Sequence, residues 1–379
     1  MIDNLREEIN IIDDEIAKQF EKRMSVVKKI GQQKAKNNIS VSNPSREKEI
    51  INRVTENVSP EIQIYTKQLF STLFETSKAY QSRFVVAQSG VVTQIEKSLE
   101  KHKGKKIPVN AAIACQGIEG SYSSIAAEKL FEISRITYFK NFKGVFDAVE
   151  KGLCQYGLLP VENSTAGSVN EVYDLLKQYK HFVAAGVKLR VQHNFLAKKG
   201  EKISDIKQIY SHNQALSQCA NFLKQFPNAE IIVCDNTAQA ALIVSQAAKG
   251  AACISSRECA DIYGLDVLKS NVQDADNNYT RFICISKELE IFENANKISI
   301  MVVLEHKPGS LNKVLNKFAL LGLNLTKLES RPISNSNFDF MFYFDFEGRA
   351  SETEVKYLLS EIENGSDEMT FLGNYSEVS

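Results

Sequence analysis

The chain has 379 residues, enough for two or three domains that each bury a core of their own. A hydrophobic content of 43% and a charged content of 24% are those of an ordinary soluble protein. Lys plus Arg equals Asp plus Glu, 46 against 46, so no net field recruits nucleic acid or a membrane and charge must act at local sites.

Seven cysteines, an odd number with no CxxC, argue against a disulfide framework or a zinc site. Cys115, Cys154, Cys234, Cys253 and Cys284 stand in apolar runs and read as buried, reduced thiols. The opening MIDNLREEINIIDDE lacks the apolar core of a signal peptide, and no stretch is apolar enough to span a bilayer. The expected location is the cytoplasm.

Residues 1–84 read as all helical, with Gly31 the one glycine. A long first helix is predicted from about Asp3 to Lys36, with the stripe Ile2, Leu5, Ile9, Ile12, Ile16, Phe20, Val27 and Ile30. Arg23 and Lys34 fall on that stripe and Arg6 at its edge. Pro44 opens a second helix, whose early turn carries Arg46. Pro60 precedes a third helix, where Ser77 and Gln81 extend the row Leu69, Phe70, Leu73 and Phe74. Cations on an apolar stripe cost several kcal/mol unless an anion faces them, so four of them on two helices imply an interior site for a dianion. Residues 85–110, with SLEKHKGKKIPVN, read as a solvated linker with at most a short helix before it.

From 111 to 288 short apolar runs alternate with amphipathic helices, the pattern of an α/β domain in two lobes. Four polar phrases each end an apolar run: GSYSSIAA (120–127), PVENSTAGSVNEVYDLL (160–176), IYSHNQALSQC (209–219) and NNYTRF (277–282). They read as parts of one pocket. Residues 296–375 follow the order βαββαβ, the ferredoxin-like arrangement.

The four phrases together resemble prephenate dehydratase over roughly 111–286, which implies a two-lobed, periplasmic-binding-protein-like fold. The helical segment resembles the all-helical class of chorismate mutase, matching at Leu5-Arg6, Lys22-Arg23, Lys34, Arg46-Glu47, Ser77 and Gln81. KPGSLNKVL (307–315) and LESRP (328–332) resemble the signature phrases of a phenylalanine-sensing ACT domain. Together they imply a multidomain, bifunctional enzyme of phenylalanine biosynthesis, an isomerase and a lyase in one chain. Its partners would be chorismate, prephenate and the effector L-phenylalanine, with no nucleic acid and no membrane, in a homodimer or homotetramer.

For the mutase, the resemblance implies that Arg6 reaches across a dimer while Arg23 and Arg46 hold the substrate carboxylates. Lys34 and Gln81 would bond the ether oxygen and Glu47 the hydroxyl, with Ser77 beside them. Asn43 stands where the family often has an acid. For the dehydratase, the ring hydroxyl leaves as water and a carboxylate as carbon dioxide. Aromatisation drives that step, so no metal or organic cofactor is implied. Thr280 would give a hydrogen bond to the leaving hydroxyl. Ser121, Tyr122, Glu162, Asn163, Ser164, Ser211, Gln218, Arg281 and Phe282 would line the site. Arg281 reads equally as a substrate cation or a structural ion pair, Ser121 and Ser211 as helix caps besides, and His212 as structural. In the ACT unit, Gly309, Ser310, Leu311, Glu329, Ser330, Arg331 and Pro332 would meet phenylalanine, Ser310 replacing the usual Ala. Two other readings stay open: a monofunctional prephenate or arogenate dehydratase with a helical dimerisation handle, and a non-catalytic amino-acid sensor.

Overall fold

In the computed structural model, which describes residues 2–37, 39, 41–84, 89–333 and 340–379, the helical periodicity of the N-terminal segment becomes three helices. They are α1 (Ile2–Lys36), α2 (Pro44–Glu56) and α3 (Gln63–Ser82). Helix α2 begins with Pro44, whose missing N–H is no loss there, and the Asn43 side chain accepts from the Arg46 amide at 3.1 Å. The expected stripe of α1 is buried only at Val27. From Ile2 to Ile16 its apolar residues are about half exposed or more, Ile2 66% and Ile12 48%. Gly31 is buried where α1 meets α3; a Cβ there would lie 3.0 Å from the Gln81 Cα and 3.0 Å from Phe84 Cδ2.

Much of the expected linker is instead helix α4 (Gly90–Lys101), with Val91, Val92 and Ile95 buried; residues 85–88 of that stretch lie outside the described residues. Three apolar residues at helical spacing outweigh the basic run, which begins as the helix ends. Ser89 accepts from the Val92 amide at 3.1 Å and donates to Glu363 at 2.5 Å.

Strand and helix then alternate through β1 (Asn110–Gln116), α5 (Tyr122–Leu130), β2 (Ile133–Phe139), α6 (Phe142–Glu150) and β3 (Tyr156–Asn163). The short β4 (Gly167–Ser168), α7 (Asn170–Tyr179) and β5 (Phe182–Arg190) complete this run. A second lobe holds β6 (Asn194–Lys198), β7 (Gln208–Ser211), α8 (Asn213–Gln218), α9 (Ala220–Leu223) and β8 (Glu230–Val233). It continues with α10 (Thr237–Gln246), β9 (Ala251–Ser255), α11 (Glu258–Tyr263) and β10 (Leu265–Lys269). The chain re-enters the first lobe as β11 (Tyr279–Ser286), antiparallel to both β3 and β5. Two sheets result, β5-β11-β3-β1-β2 with β4 beside β3, and β10-β6-β9-β7-β8.

The last segment runs β12 (Lys297–Leu304), α12 (Ser310–Leu320), β13 (Leu325–Pro332), β14 (Phe340–Glu347), α13 (Thr353–Gly365) and β15 (Glu368–Tyr375). Its sheet order, β13-β14-β12-β15, is the ferredoxin-like one expected from the sequence. Past the expected end at 375, β16 (Glu377–Val378) pairs with β5 in the larger sheet. Chain contacts divide the whole into Met1–Lys97 with Ile300–Phe371, and Ser98–Ser299 with Leu372–Ser379. None of the described helices is long and apolar enough to cross a membrane.

Gly31 gives a test of the α1–α3 contact. On an exposed helix face Gly→Ala stabilises by about 1 kcal/mol. Here the nearest neighbour is the backbone of α3, so Gly31→Ala is expected to lower the melting temperature of the helical segment through overpacking. A raised melting temperature in calorimetry would show that α3 yields.

Candidate active sites

Thr280 stands at the start of β11, half-buried, directly across the ladder from Asn163 at the end of β3. Asn163 is 7% exposed and its Nδ2 donates to Thr280 Oγ1 at 2.9 Å and to Asn278 Oδ1 at 2.8 Å. Asn163 Oδ1 accepts from the amides of Thr165 and Ala166, from the Thr165 hydroxyl, and from Gln214 Nε2 at 3.3 Å. Gln218 on α8 donates to Thr165 Oγ1 at 2.7 Å and accepts from Asn278 Nδ2 at 2.9 Å. Three of the four polar phrases therefore converge on one place, between the ends of strands in two lobes, where α/β sheets bind ligands.

Ser121 of the remaining phrase caps α5 through a 3.4 Å bond from the Ser124 amide, and Tyr122 donates to the Gln192 carbonyl at 2.8 Å. Ser164 ties the loop to the strand, donating to the Asn277 carbonyl and accepting from the Tyr279 amide. Ser211 is fully buried and donates to the Ile254 carbonyl at 2.7 Å, so its hydroxyl is a strand-to-strand tie rather than a helix cap. His212 caps α8, its Nδ1 accepting from the Gln214 amide at 3.3 Å. Asn278, Thr165, Gln214 and His193 were not singled out from the sequence. The first three stand inside the quoted phrases, whereas His193 lies in a run of no distinctive composition.

Arg281 and Phe282 differ from the substrate contacts expected of them. Phe282 is 2% exposed and packs in the core among Ala126, Phe131 and Leu158. Arg281, next along the strand, points to the other face. There Nε meets Glu377 Oε2 at 2.5 Å and Nη2 donates to Tyr375 Oη at 2.7 Å. Glu162 Oε2 lies 4.0 Å from Arg281 Nη1. Burial pushes the Glu377 carboxyl up, but Arg281 and Lys297, the latter at 2.8 Å, outweigh it and hold the pKa below the usual range. Of the two readings of Arg281, the ion pair is the one with partners at hydrogen-bonding distance.

In the helical segment Arg23 donates to the Ser77 hydroxyl and, at 3.4 Å, to the Leu73 carbonyl. Burial lowers the pKa of Arg23 and also that of Lys34, against the opposing pull of Glu47. Lys34 Nζ donates to the Val41 carbonyl at 2.7 Å. Glu47 faces Lys78 at 3.3 Å. Gln81 is 7% exposed, and its Oε1 is buried with no partner among the described residues. Arg46 is exposed and paired with Glu49 at 2.6 Å, and Arg6 is exposed beside Asp3 at 3.2 Å. The structure thus gathers Arg23, Ser77, Lys34, Glu47 and Gln81 around the α1–α3 contact, with Arg6 and Arg46 turned to solvent.

In the last segment Gly309 precedes α12 with φ of 85°, a left-handed conformation that favours glycine, and open space surrounds its Cα. Ser310 and Leu311 open that helix, and Glu329, Ser330, Arg331 and Pro332 close β13, the edge strand of the sheet.

Comparison with known proteins bears on both sites. The family "prephenate dehydratase" matches residues 113–290, and "chorismate mutase type II" matches residues 5–82. A bifunctional chorismate mutase/prephenate dehydratase of Aquifex aeolicus is 31% identical over 373 residues, covering 98% of this chain and 96% of the relative. An arogenate dehydratase/prephenate dehydratase of Arabidopsis thaliana is 36% identical over 275 residues, 69% of this chain and 72% of its own. Among solved structures, prephenate dehydratase from Arthrobacter aurescens in complex with L-Phe superposes with a TM-score of 0.64 at 26% identity. It covers 70% of this chain and 90% of that one.

The depressed pKa of Glu377 makes the anchoring of the C-terminal strand pH-dependent. A carboxylate whose folded pKa lies below its unfolded one stabilises above the unfolded value, and that stability is lost as pH falls through the folded value. Glu377→Gln is therefore expected to lower the melting temperature at pH 7 and to lessen its fall on acidification, in scans from pH 7 to pH 3. An unchanged acid profile would mean that Glu377 carries none of it.

Proposed function

The chain belongs to the bifunctional chorismate mutase/prephenate dehydratase family, and from that membership we propose how the two activities divide among its residues. The helical segment rearranges chorismate to prephenate. The α/β lobes convert prephenate to phenylpyruvate, carbon dioxide and water. The observation that carries the second assignment is the half-buried Thr280 hydroxyl, which accepts from Asn163 and keeps its own proton for another acceptor.

The pericyclic step needs positioning and charge, with no proton transfer or covalent intermediate. Arg23 binds one carboxylate, and Arg46 closes on the other by leaving Glu49. Lys34 and the Gln81 amide bond the ether oxygen, where negative charge develops, while Glu47 bonds the substrate hydroxyl. The bare apolar stripe of α1 supports a dimer in which a second copy covers it and supplies its Arg6. In the dehydratase, Thr280 donates to the departing hydroxyl as the ring becomes aromatic. Glu162, Ser164 and Tyr122 border the cleft, and the amides at the starts of α5 and α8 suit the carboxylates.

The last segment acts as an ACT unit. Phenylalanine binds between the 307–315 and 328–332 loops of paired units and inhibits the dehydratase, a reading that the L-Phe complex of the Arthrobacter relative supports. Relatives named for arogenate make that amino acid a second substrate to assay beside prephenate.

Three outcomes are expected. Lys34→Ala should abolish mutase turnover and leave prephenate dehydration near wild type; a parallel loss of both in a folded protein would refute separate sites. Thr280→Ala should lower dehydratase turnover about 10²-fold, the scale for one transition-state hydrogen bond, while mutase turnover persists. Phenylalanine should bind and inhibit with a coupling of about 1–3 kcal/mol, and Gly309→Val should relieve the inhibition. Calorimetry showing no phenylalanine binding at millimolar concentration would leave the segment a dimerisation domain.

A further inference from the structure

Four side chains beside Thr280 close a ring of hydrogen bonds. Asn163 Nδ2 donates to Asn278 Oδ1 at 2.8 Å, and Asn278 Nδ2 donates to Gln218 Oε1 at 2.9 Å. Gln218 Nε2 donates to Thr165 Oγ1 at 2.7 Å, and Thr165 Oγ1 donates back to Asn163 Oδ1 at 2.7 Å. Every bond runs the same way round.

That direction is fixed by the backbone. The amides of Thr165 and Ala166 reach Asn163 Oδ1 at 3.1 and 2.9 Å. A backbone N–H can only donate, so the atom they reach must be the amide oxygen and the nitrogen must face Thr280. The Asn163 nitrogen then donates to Thr280 Oγ1 at 2.9 Å, which makes that oxygen an acceptor towards the protein. Among the described residues Asn163 is its one side-chain partner, so the hydroxyl proton is left for something else. At the opposite corner His193, 2% exposed, places Nε2 2.9 Å from Gln218 Oε1. The ring direction turns the Gln218 amide oxygen towards His193, so Nε2 is the imidazole nitrogen that carries the proton and donates to it.

We propose that Asn163, turned by the loop amides and held in place by the ring, sets the polarity of Thr280, with Asn278 and Thr165 as positioning residues, so that the threonine proton is presented to the leaving hydroxyl of the substrate. The proposal rests on the catalytic reading of Thr280 above. A threonine hydroxyl is a rotor that can donate to any oxygen in reach. Once its lone pair is engaged by an amide that cannot turn round, the proton is confined to the open side. Bonds that run head to tail polarise one another, which stiffens the arrangement further. Gln218 and Asn163 thereby act on the reaction through Thr280: each has its amide oxygen occupied by protein donors.

The test uses the full chain, with chorismate turnover as the measure of an intact fold. Asn278→Ala and Thr165→Val should each lower kcat for prephenate about tenfold with KM within about twofold, the scale of losing one or two intramolecular hydrogen bonds. Thr165 is exposed, so valine preserves shape without threatening the fold, and Thr165→Ser should restore kcat by returning the hydroxyl. Wild-type kcat in both Asn278→Ala and Thr165→Val would overturn the proposal. So would a raised KM at unchanged kcat in Thr165→Val, which would make that residue a substrate contact. Thr280→Ala, assayed beside them, separates the two levels. If it is inactive while the ring variants are intact, the ring alone fails; if it is itself intact, the reading of Thr280 fails and the ring's role with it.

Discussion

The antiparallel insertion of β11 between β3 and β5 is the constraint on which the rest of the dehydratase site depends. Its register sets Thr280 opposite Asn163 on one side and Leu189 on the other. Side chains alternate along a strand, so a slip of one residue would exchange the face of Thr280 with that of Arg281. Two interactions hold the register from opposite faces. Phe282 fills the core beneath α5, and Arg281 is locked to Glu377 and Tyr375 from the end of the chain. The TRF phrase thus combines one half-buried hydroxyl at the strand end with two residues that hold it in place.

The two sites solve different electrostatic problems. The helical segment holds two partly buried cations, Arg23 and Lys34, and that partial burial lowers the pKa of each. Partial burial weakens solvent screening, so an anion beside them counts for more than it would at the open surface. Thr280 is instead surrounded by neutral amides and hydroxyls, and the neighbouring Arg281 is paired with Glu377. On the role proposed for Thr280, a reaction driven by aromatisation asks for orientation of one hydrogen bond, and fixed dipoles would provide it without the reorganisation a charge requires.

Much of this was legible in the sequence, for local reasons. The polar phrases mark strand ends because Ser, Asn and Gln interrupt apolar runs there, and the βαββαβ order follows from periodicity alone. What escaped was non-local. The Asn163–Asn278 bond joins residues 115 positions apart, and nothing in either phrase shows which atoms meet. Arg281 sits in a motif, so its partner at the far end of the chain was beyond reach. The extent of helix α4 is masked in the sequence by the basic run after it, which dominates the composition, although Val91, Val92 and Ile95 carry the helical spacing. Periodicity shows the stripe on α1 to be apolar but cannot say whether its cover comes from the same chain, and the described residues leave most of it bare.

The seven cysteines are all free and all buried. Burial pushes the thiols of Cys115 and Cys219 up to about 12 and those of Cys253 and Cys284 well above the ordinary value. Thiolate is the reactive form, so these sulfurs are slow towards alkylating reagents in the folded state. The chain also contains no tryptophan. Its surface is therefore blank to thiol reagents and to indole fluorescence: one cysteine placed on an exposed helix can be labelled selectively, and one tryptophan placed near the cleft would be the sole indole signal. The native protein comes ready for spectroscopy of its lobes without first being stripped of its own thiols.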